Sequence, residues 1–185
     1  RNIDVYVENE VKEPVAEKVV RETMDVSQGK LVIGLDVTKL EPEDKAVASV
    51  YNAILGGGAN SKLFQNVREK AHLAYVASSS YMRYKSNIFI KCGIEIGNYE
   101  KTLTLVKKQI EDMEKGDFTE EEIENAKKGI IASIKIIDDE QDTQITYYFG
   151  QELTGTIVSL EEYTKKIENV SKEDIGKVIG KNGRI

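Results

Sequence analysis

The residues best suited to chemistry lie in one stretch of 22 residues, from Leu55 to Val76. The stretch carries three consecutive glycines, Gly56–Gly58, and then an arginine and a tyrosine seven positions apart, Arg68 and Tyr75. A guanidinium offers several hydrogen-bond donors that do not deprotonate, and a phenol donates to an oxygen on which negative charge develops. Three glycines lose much backbone entropy on folding, so their presence predicts a special backbone shape or a close approach by another group.

The sequence has too few ligands for a catalytic metal of its own. It contains one histidine, His72, and one cysteine, Cys92, whereas a catalytic zinc commonly takes three protein ligands rich in imidazole or thiolate. The carboxylate groups Glu120–Glu122 and Asp138–Glu140 fall at predicted helix starts and turns, where they act as dipole partners and solvated surface. We therefore predict no catalytic residue and no metal ligand. His72 is expected in a turn or on the surface, and Cys92 in the core.

The glycine loop has two competing interpretations. Backbone amides ahead of a capped helix can bind an anion. A nucleotide-binding loop, however, places Gly-Lys-Ser or Gly-Lys-Thr at the helix start, and here Lys62 follows Ser61. We therefore predict a tight turn between two helices, past whose backbone a peptide runs.

Length, charge and cysteine content narrow the class of protein. A chain of 185 residues suits one domain whose core buries about 70% of the unfolded surface. Its net charge is −6, and its basic residues are interspersed with acids, so we expect neither a nucleic acid nor an anionic membrane as partner. No apolar run approaches the roughly 20 residues that span a bilayer. One cysteine is typical of a reducing compartment, and we expect a cytoplasmic location, although one-cysteine chains also occur outside cells.

The first half of the chain predicts three strands and two helices. Alternating apolar residues predict strands at Lys30–Val37, Leu73–Tyr81 and Asn87–Gly97, with a hairpin turn at 83–86 that makes the last two antiparallel. A weaker alternation at Ile3, Val5 and Val7 predicts a short strand or an extended linker. Helices are predicted from Pro42 to the glycines and after a cap at Asn60 or Ser61.

The second half predicts helices. Asn98 is expected to cap a helix that ends at Gly116, and Thr119 with Glu122 forms a capping box for a long helix that runs on toward Tyr148. Shorter helices are predicted at Leu160–Glu168 and Lys172–Ile179. This order predicts an α+β fold with helices on one face of a mainly antiparallel sheet. We expect a single domain over residues 1–185, and the first residue, Arg1, predicts that it belongs to a longer protein.

The glycine stretch resembles the non-catalytic half of the pitrilysin, insulin-degrading and mitochondrial processing peptidase family. There a glycine loop precedes Ser-Arg-Leu-Phe-Gln, Arg-Glu-Lys and Leu-Ala-Tyr. Here the matching segments are Gly56–Gly58, Ser61–Gln65, Arg68–Lys70 and Leu73–Tyr75. Two positions depart from the usual pattern. Lys62 replaces a common arginine, and Ala71-His72 replaces a pair that often contains glycine. The family pattern therefore does not determine the conformation of the turn before Tyr75.

The resemblance implies that this half faces a second half around a closed chamber that admits peptides. In the family the second half holds zinc through His-x-x-Glu-His and a distant Glu, and the first Glu is the general base. The resemblance therefore implies a peptide substrate, and zinc in another segment or a partner subunit. It assigns Arg68 and Tyr75 to holding the substrate backbone and polarising its carbonyl, beside the loop Gly56–Gly58.

Alternatives remain for both the residues and the function. On residue type alone, Arg68 pairs with an acid such as Glu69, and Tyr75 is a half-buried strand residue; the matching spacing favours the substrate-contact role instead. The chain is either the substrate-binding half of a zinc peptidase or an inactive relative that serves as a scaffold or assembly subunit. Arg68 and Tyr75 favour the first hypothesis, and neither hypothesis predicts cleavage by this chain alone.

Overall fold

The central feature is an antiparallel sheet of strands β1 (Gly29–Asp36), β2 (Ala74–Met82) and β3 (Asn87–Ile94), in the order β1-β3-β2. The computed structural model describes residues 18–37, 40–83, 85–152, 155 and 157–182. The predicted extended segment at Ile3–Val7 lies outside this part of the chain. β3 lies in the middle and pairs with both neighbours, as the predicted hairpin requires.

The two faces of the sheet differ in burial. Side chains alternate between faces along a strand, and the inward set is apolar and buried: Leu31, Leu35, Ala77, Ile88, Ile90, Cys92 and Ile94. On the opposite face, which we call the outer face, Lys30, Val32, Val76, Ser80 and Lys91 are exposed. The predicted α+β class, with helices packed on one face of the sheet, is confirmed.

Helices account for most of the remaining described residues. The first, α1 (Lys45–Gly56), follows a 3-10 turn at Pro42–Asp44, and a π-helix covers Leu63–Lys70. After a second 3-10 turn at Ile96–Asn98 come α2 (Tyr99–Glu114), α3 (Glu120–Asp139), α4 (Gln141–Glu152), α5 (Leu160–Glu168) and α6 (Lys172–Asn182). None of the helices in the described ranges combines the length and apolar character that crossing a bilayer requires.

The capping box predicted at the start of α3 is present. The Thr119 hydroxyl accepts a hydrogen bond from the Glu122 amide at 3.1 Å, and the Thr119 amide donates to the Glu122 carboxylate at 2.8 Å. Ser159 and Glu162 repeat this arrangement at the start of α5. Each box satisfies amides that a helix N-terminus otherwise leaves without partners, so these helix starts are fixed locally.

Two predictions about element ends are wrong, and one predicted cap lacks its side-chain bond. The long helix does not run on to Tyr148, because Glu140 has extended dihedral angles, φ −119° and ψ 116°, and separates α3 from α4. There the Thr143 hydroxyl donates to the Glu140 carbonyl, a local bond that competes with helix continuation. β3 ends at Ile94 rather than Gly97, since its partner β1 begins opposite at Gly29. Asn98 stands before α2 without a capping bond from its side chain.

Candidate functional site

Gly56 is the last residue of α1 and packs directly against β2. A Cβ placed on Gly56 would overlap the backbone nitrogen of Ser79 and would lie 2.8 Å from Cδ1 of Leu63. The missing side chain therefore lets the end of α1 approach the strand. What comes close to this first glycine is the backbone of the same domain.

The other two glycines lie progressively further from the core. Gly57 is the C-cap of α1, and a Cβ there would lie 2.7 Å from Cα of Ala53. Gly58 is exposed, and nothing lies within 4 Å of the position that its Cβ would occupy. The predicted tight turn between helices is present, and Gly58 is the glycine of this turn whose Cβ side faces open space.

The segment after the glycines is anchored by Ser61 and Lys62. The buried Ser61 hydroxyl donates to the Gly58 carbonyl at 2.6 Å. Lys62 Nζ lies 3.3 Å from Glu122 Oε1, and the two side chains are only 12% and 28% exposed. The residue that departs from the family pattern thus forms a largely buried ion pair, which ties the glycine turn to the start of α3.

Arg68 lies on the exposed side of the π-helix. Leu63 and Val67 of the same helix are fully buried, which fixes its orientation. The Arg68 guanidinium lies 4.6 Å from the Phe64 ring centroid, and its Nε is 3.4 Å from Glu69 Oε1. Both partners of this ion pair are more than 40% exposed, and such pairs contribute between zero and about 1 kcal/mol. π-helices are rare and frequently occur at functional sites.

The turn between the π-helix and β2 places His72 in the left-handed conformation. His72 has φ 52°, and the Leu73 amide donates to the Val67 carbonyl at 3.1 Å, six residues back. Glycine is the usual residue at this position, which explains the glycine that the family pattern has here. His72 is exposed, so the prediction of a turn or surface role is confirmed.

Replacing His72 with glycine is expected to raise the free energy of unfolding by about 1 kcal/mol, because a left-handed residue with a Cβ costs roughly 1–2 kcal/mol. Urea unfolding of the chain measures the change. His72→Ala is the matched control: it also removes the imidazole but keeps the Cβ. Equal stabilisation by both substitutions would show that the side chain, and not the backbone, is responsible.

Tyr75 is turned onto the outer face by a β-bulge. Ala74 pairs with Ile94 and Val76 pairs with the next residue back, Gly93, so Tyr75 is the extra residue of β2. Its ring lies over Gly93, where a Cβ would overlap the ring and would lie 2.5 Å from the hydroxyl oxygen. Tyr75 remains 46% exposed. Bulges commonly re-aim a side chain beside a functional site.

The predicted residues thus lie on three consecutive elements of the chain. The glycine turn, the π-helix with Arg68 and the bulge with Tyr75 follow one another from α1 to the edge strand β2, and neither side chain points into the core. Gly93 was missed by sequence reasoning. A glycine within a strongly alternating strand is the available signal, since it marks a close approach by another group.

The remaining candidate for reactive chemistry is the Cys92 thiol. Cys92 is 3% exposed on the inner face of β3, and burial raises its pKa to about 11. A thiol with this pKa stays protonated and unreactive near neutral pH. The prediction that Cys92 is a core side chain is confirmed.

The comparisons with known proteins agree with this geometry. Residues 4–130 match the family model described as "Peptidase M16 inactive domain". The chain belongs to this family. The M16 inactive domain is 34% identical over 176 residues to "Probable inactive metalloprotease YmfF" of Bacillus subtilis, covering 95% of this chain and 41% of that protein.

Two further relatives extend the comparison. The "Uncharacterized zinc protease YmxG" of Bacillus subtilis is 24% identical over 162 residues, covering 86% of this M16 inactive domain and 39% of that protein. The crystal structure of a "peptidase M16 inactive domain from Pseudomonas fluorescens" superposes with a TM-score of 0.73 at 25% identity, covering 87% of this chain and 39% of that one. The chain therefore spans about two fifths of the length of these relatives.

The described side chains of this M16 inactive domain are not arranged as a zinc site. Within the described ranges, no group of three or more His, Cys, Asp or Glu residues is placed to hold a metal ion. His72 lies in an exposed turn, and Cys92 lies on the inner face of the sheet. The non-catalytic assignment of this half rests on the match to the family model, which is described as the inactive domain of M16 peptidases.

Proposed function

We propose that this chain binds the peptide substrate of a two-half zinc peptidase, with Arg68 and Tyr75 contacting the peptide backbone. The observation that carries the proposal is the bulge that turns Tyr75 onto the outer face and seats its ring on Gly93. A phenol held in this way lies over Gly93 on the outer face of the sheet, and the residue is half exposed. It can then donate a hydrogen bond to a peptide carbonyl and favour negative charge on that oxygen.

Arg68 and the glycine turn have supporting roles in this proposal. Because the ion pair with Glu69 is exposed and weak, the guanidinium retains donors for backbone carbonyls of the peptide. Gly58, whose Cβ side is open, lets the peptide pass close to the turn, and its neighbour Gly57 closes the end of α1 against Ala53. Gly56, the first glycine of the run, holds the turn against β2 through its packing on Ser79.

The proposal assigns zinc to another part of the protein. The matched relative YmxG is named a zinc protease, and this chain spans 39% of its length. We assign the zinc motif to a catalytic half or a homologous partner subunit that faces the outer face and completes a closed chamber. The location proposed is cytoplasmic, since the single cysteine, Cys92, is a free thiol.

A second function is favoured by the name of another relative. YmfF, at 34% identity, is described as a probable inactive metalloprotease. If the whole protein has no zinc motif, this chain serves as a scaffold or assembly subunit instead. A preparation of the assembled protein, meaning this chain together with the half that completes the chamber, would then contain no zinc and cleave no peptide.

Site-specific photo-crosslinking in the assembled protein tests where a peptide lies. Val76→Cys places a thiol beside Tyr75 at an exposed outer-face position, and a benzophenone maleimide attaches to it selectively because Cys92 is buried. We expect a bound peptide to cross-link at position 76. Thr104→Cys, an exposed position on α2, is the matched control and should give no cross-link. Labelling at 104 but not at 76 would contradict the proposal.

A further inference from the structure

A buried glutamine of α2 holds the π-helix from the side. Gln109 is only 3% exposed, and its side-chain oxygen accepts a hydrogen bond from Nδ2 of Asn66, a residue of the π-helix 43 positions away in the chain. Glutamine is seldom buried this fully, and burying an amide is costly unless it is hydrogen-bonded. This bond is therefore a specific tether between α2 and the π-helix.

The tethered side chain of Asn66 is engaged at both ends. Its nitrogen donates to Gln109, and its oxygen accepts a hydrogen bond from Lys70 Nζ at 3.1 Å. Turning this amide over would set its nitrogen, which only donates, against an ammonium group. The two partners together thus favour one orientation of the Asn66 side chain.

The backbone of the same asparagine forms the wide turn of the π-helix. The Asn66 carbonyl accepts a hydrogen bond from the Ala71 amide, five residues ahead, at 3.2 Å. An α-helical turn would instead join this carbonyl to the amide of Lys70, four residues ahead. Arg68 lies inside the turn, so the direction of its side chain depends on which of the two turns forms.

Apolar packing alone does not select the wide turn. Leu63 and Val67 are fully buried, but they are four residues apart, a spacing that also suits an ordinary α-helix. The bond to Gln109 fixes a third position of this helix, and it is the position whose carbonyl begins the wide turn. The tether is thus the contact that distinguishes the two turns.

We propose that Gln109 is a positioning residue for peptide binding. It holds Asn66, Asn66 keeps the wide turn, and the wide turn sets the direction of the Arg68 guanidinium. The inference rests on the proposed function, in which Arg68 contacts the peptide backbone. Without the acceptor on Gln109 the turn would relax, and Arg68 would lose part of its contact with the peptide although its own side chain is intact.

Peptide affinity of the assembled protein tests the inference. Gln109→Met removes the acceptor and keeps an unbranched side chain that adapts to a core. Fluorescence anisotropy with a short, end-blocked fluorescent peptide should give a dissociation constant about threefold to tenfold higher, the change expected if Arg68 loses about one hydrogen bond to the peptide. Asn66→Ala removes the same tether from its less buried partner and should have the same effect.

Thr102→Val is the matched control on the same helix. It removes a fully buried hydroxyl that donates to the Asn98 carbonyl at 2.8 Å, a bond within the start of α2. Peptide affinity should not change, whereas urea unfolding should show a loss of stability comparable to that of Gln109→Met. Equal weakening of peptide binding by Thr102→Val and Gln109→Met would overturn the inference, because any loss of a buried bond would then suffice.

Combination with Arg68→Ala separates positioning from a merely structural role. If Gln109 acts through Arg68, Gln109→Met should weaken binding when Arg68 is present and should add little when it is alanine. Equal weakening in both backgrounds would overturn the positioning role.

The outcomes also separate this inference from the proposed function. Weaker binding in Arg68→Ala, with unchanged binding in Gln109→Met and Asn66→Ala, would overturn only the positioning role. Unchanged binding in Arg68→Ala would overturn the proposed peptide contact and this inference with it.

Discussion

Replacing Gly56 with alanine is expected to lower the free energy of unfolding by about 3 kcal/mol, the upper part of the range for overpacking a core. The added Cβ would overlap the Ser79 backbone nitrogen and would lie 2.8 Å from Leu63 Cδ1. A strand backbone cannot move aside as the end of a flexible side chain can, so α1 would have to shift relative to β2. Urea unfolding of the purified chain measures the loss.

Gly58→Ala is the matched control for this prediction. It introduces the same methyl group two residues later, where nothing lies within 4 Å of the Cβ position. Gly58 does not have a positive φ, so alanine there should change stability by less than about 1 kcal/mol, with a small gain from reduced entropy of the unfolded chain. Similar losses for both variants would show that the glycine run is needed for backbone shape and not for packing.

Packing at Gly56 also changes how the glycine run is interpreted. From the sequence, the run indicated a special backbone shape or a close approach by another group. The structure gives each glycine a different environment: packing on β2 at Gly56, the cap of α1 at Gly57 and an open surface at Gly58. Residue type alone does not distinguish these positions, because the distinction depends on which strand lies behind the loop.

Periodicity and capping patterns predicted most of the fold. The inward residues of β1 and β3 alternate strictly in the sequence, and the predicted capping box at Thr119 has its expected bonds. These features depend on interactions within a few residues, so the local sequence determines them. Element ends were less predictable, as at Glu140 and Ile94, because they depend on neighbouring bonds and on where the partner strand begins.

The shape of the candidate site was not predictable in the same way. The spacing of Leu63 and Val67 is compatible with an ordinary α-helix, whereas the Ala71 amide donates to the Asn66 carbonyl five residues back. The bulge at Tyr75 depends on the register against β3. Resemblance named Arg68 and Tyr75, and tertiary contacts set the direction of their side chains.

Tyr75→Phe is expected to lower kcat for peptide cleavage by the assembled protein about a hundredfold, with a small change in KM. This is the size of effect seen when one hydrogen-bond donor to a developing oxyanion is removed. The ring would keep its place over Gly93, and the residue is half exposed, so stability should change little when the hydroxyl is lost. Arg68→Ala, in contrast, is expected both to lower kcat and to raise KM, since it removes contacts made to the bound peptide before reaction.

Two control variants test whether the effect is specific to the Tyr75 hydroxyl. Tyr148→Phe removes a phenol hydroxyl from α4 and should leave both constants unchanged. Gly93→Ala leaves the hydroxyl present but displaces the ring, because the added Cβ would lie 2.5 Å from the hydroxyl oxygen. Gly93→Ala should therefore lower kcat although the Tyr75 hydroxyl is still present. Such a fall would show that the position of the hydroxyl, and not only its presence, determines the rate.

The most direct test of the account is the cleavage rate of the assembled protein carrying Tyr75→Phe, measured at saturating peptide beside the unsubstituted protein. A fall in kcat of about a hundredfold, with unfolding unchanged, is the result expected if the phenol on the outer face contacts the reacting carbonyl. Turnover equal to that of the unsubstituted protein would contradict that contact.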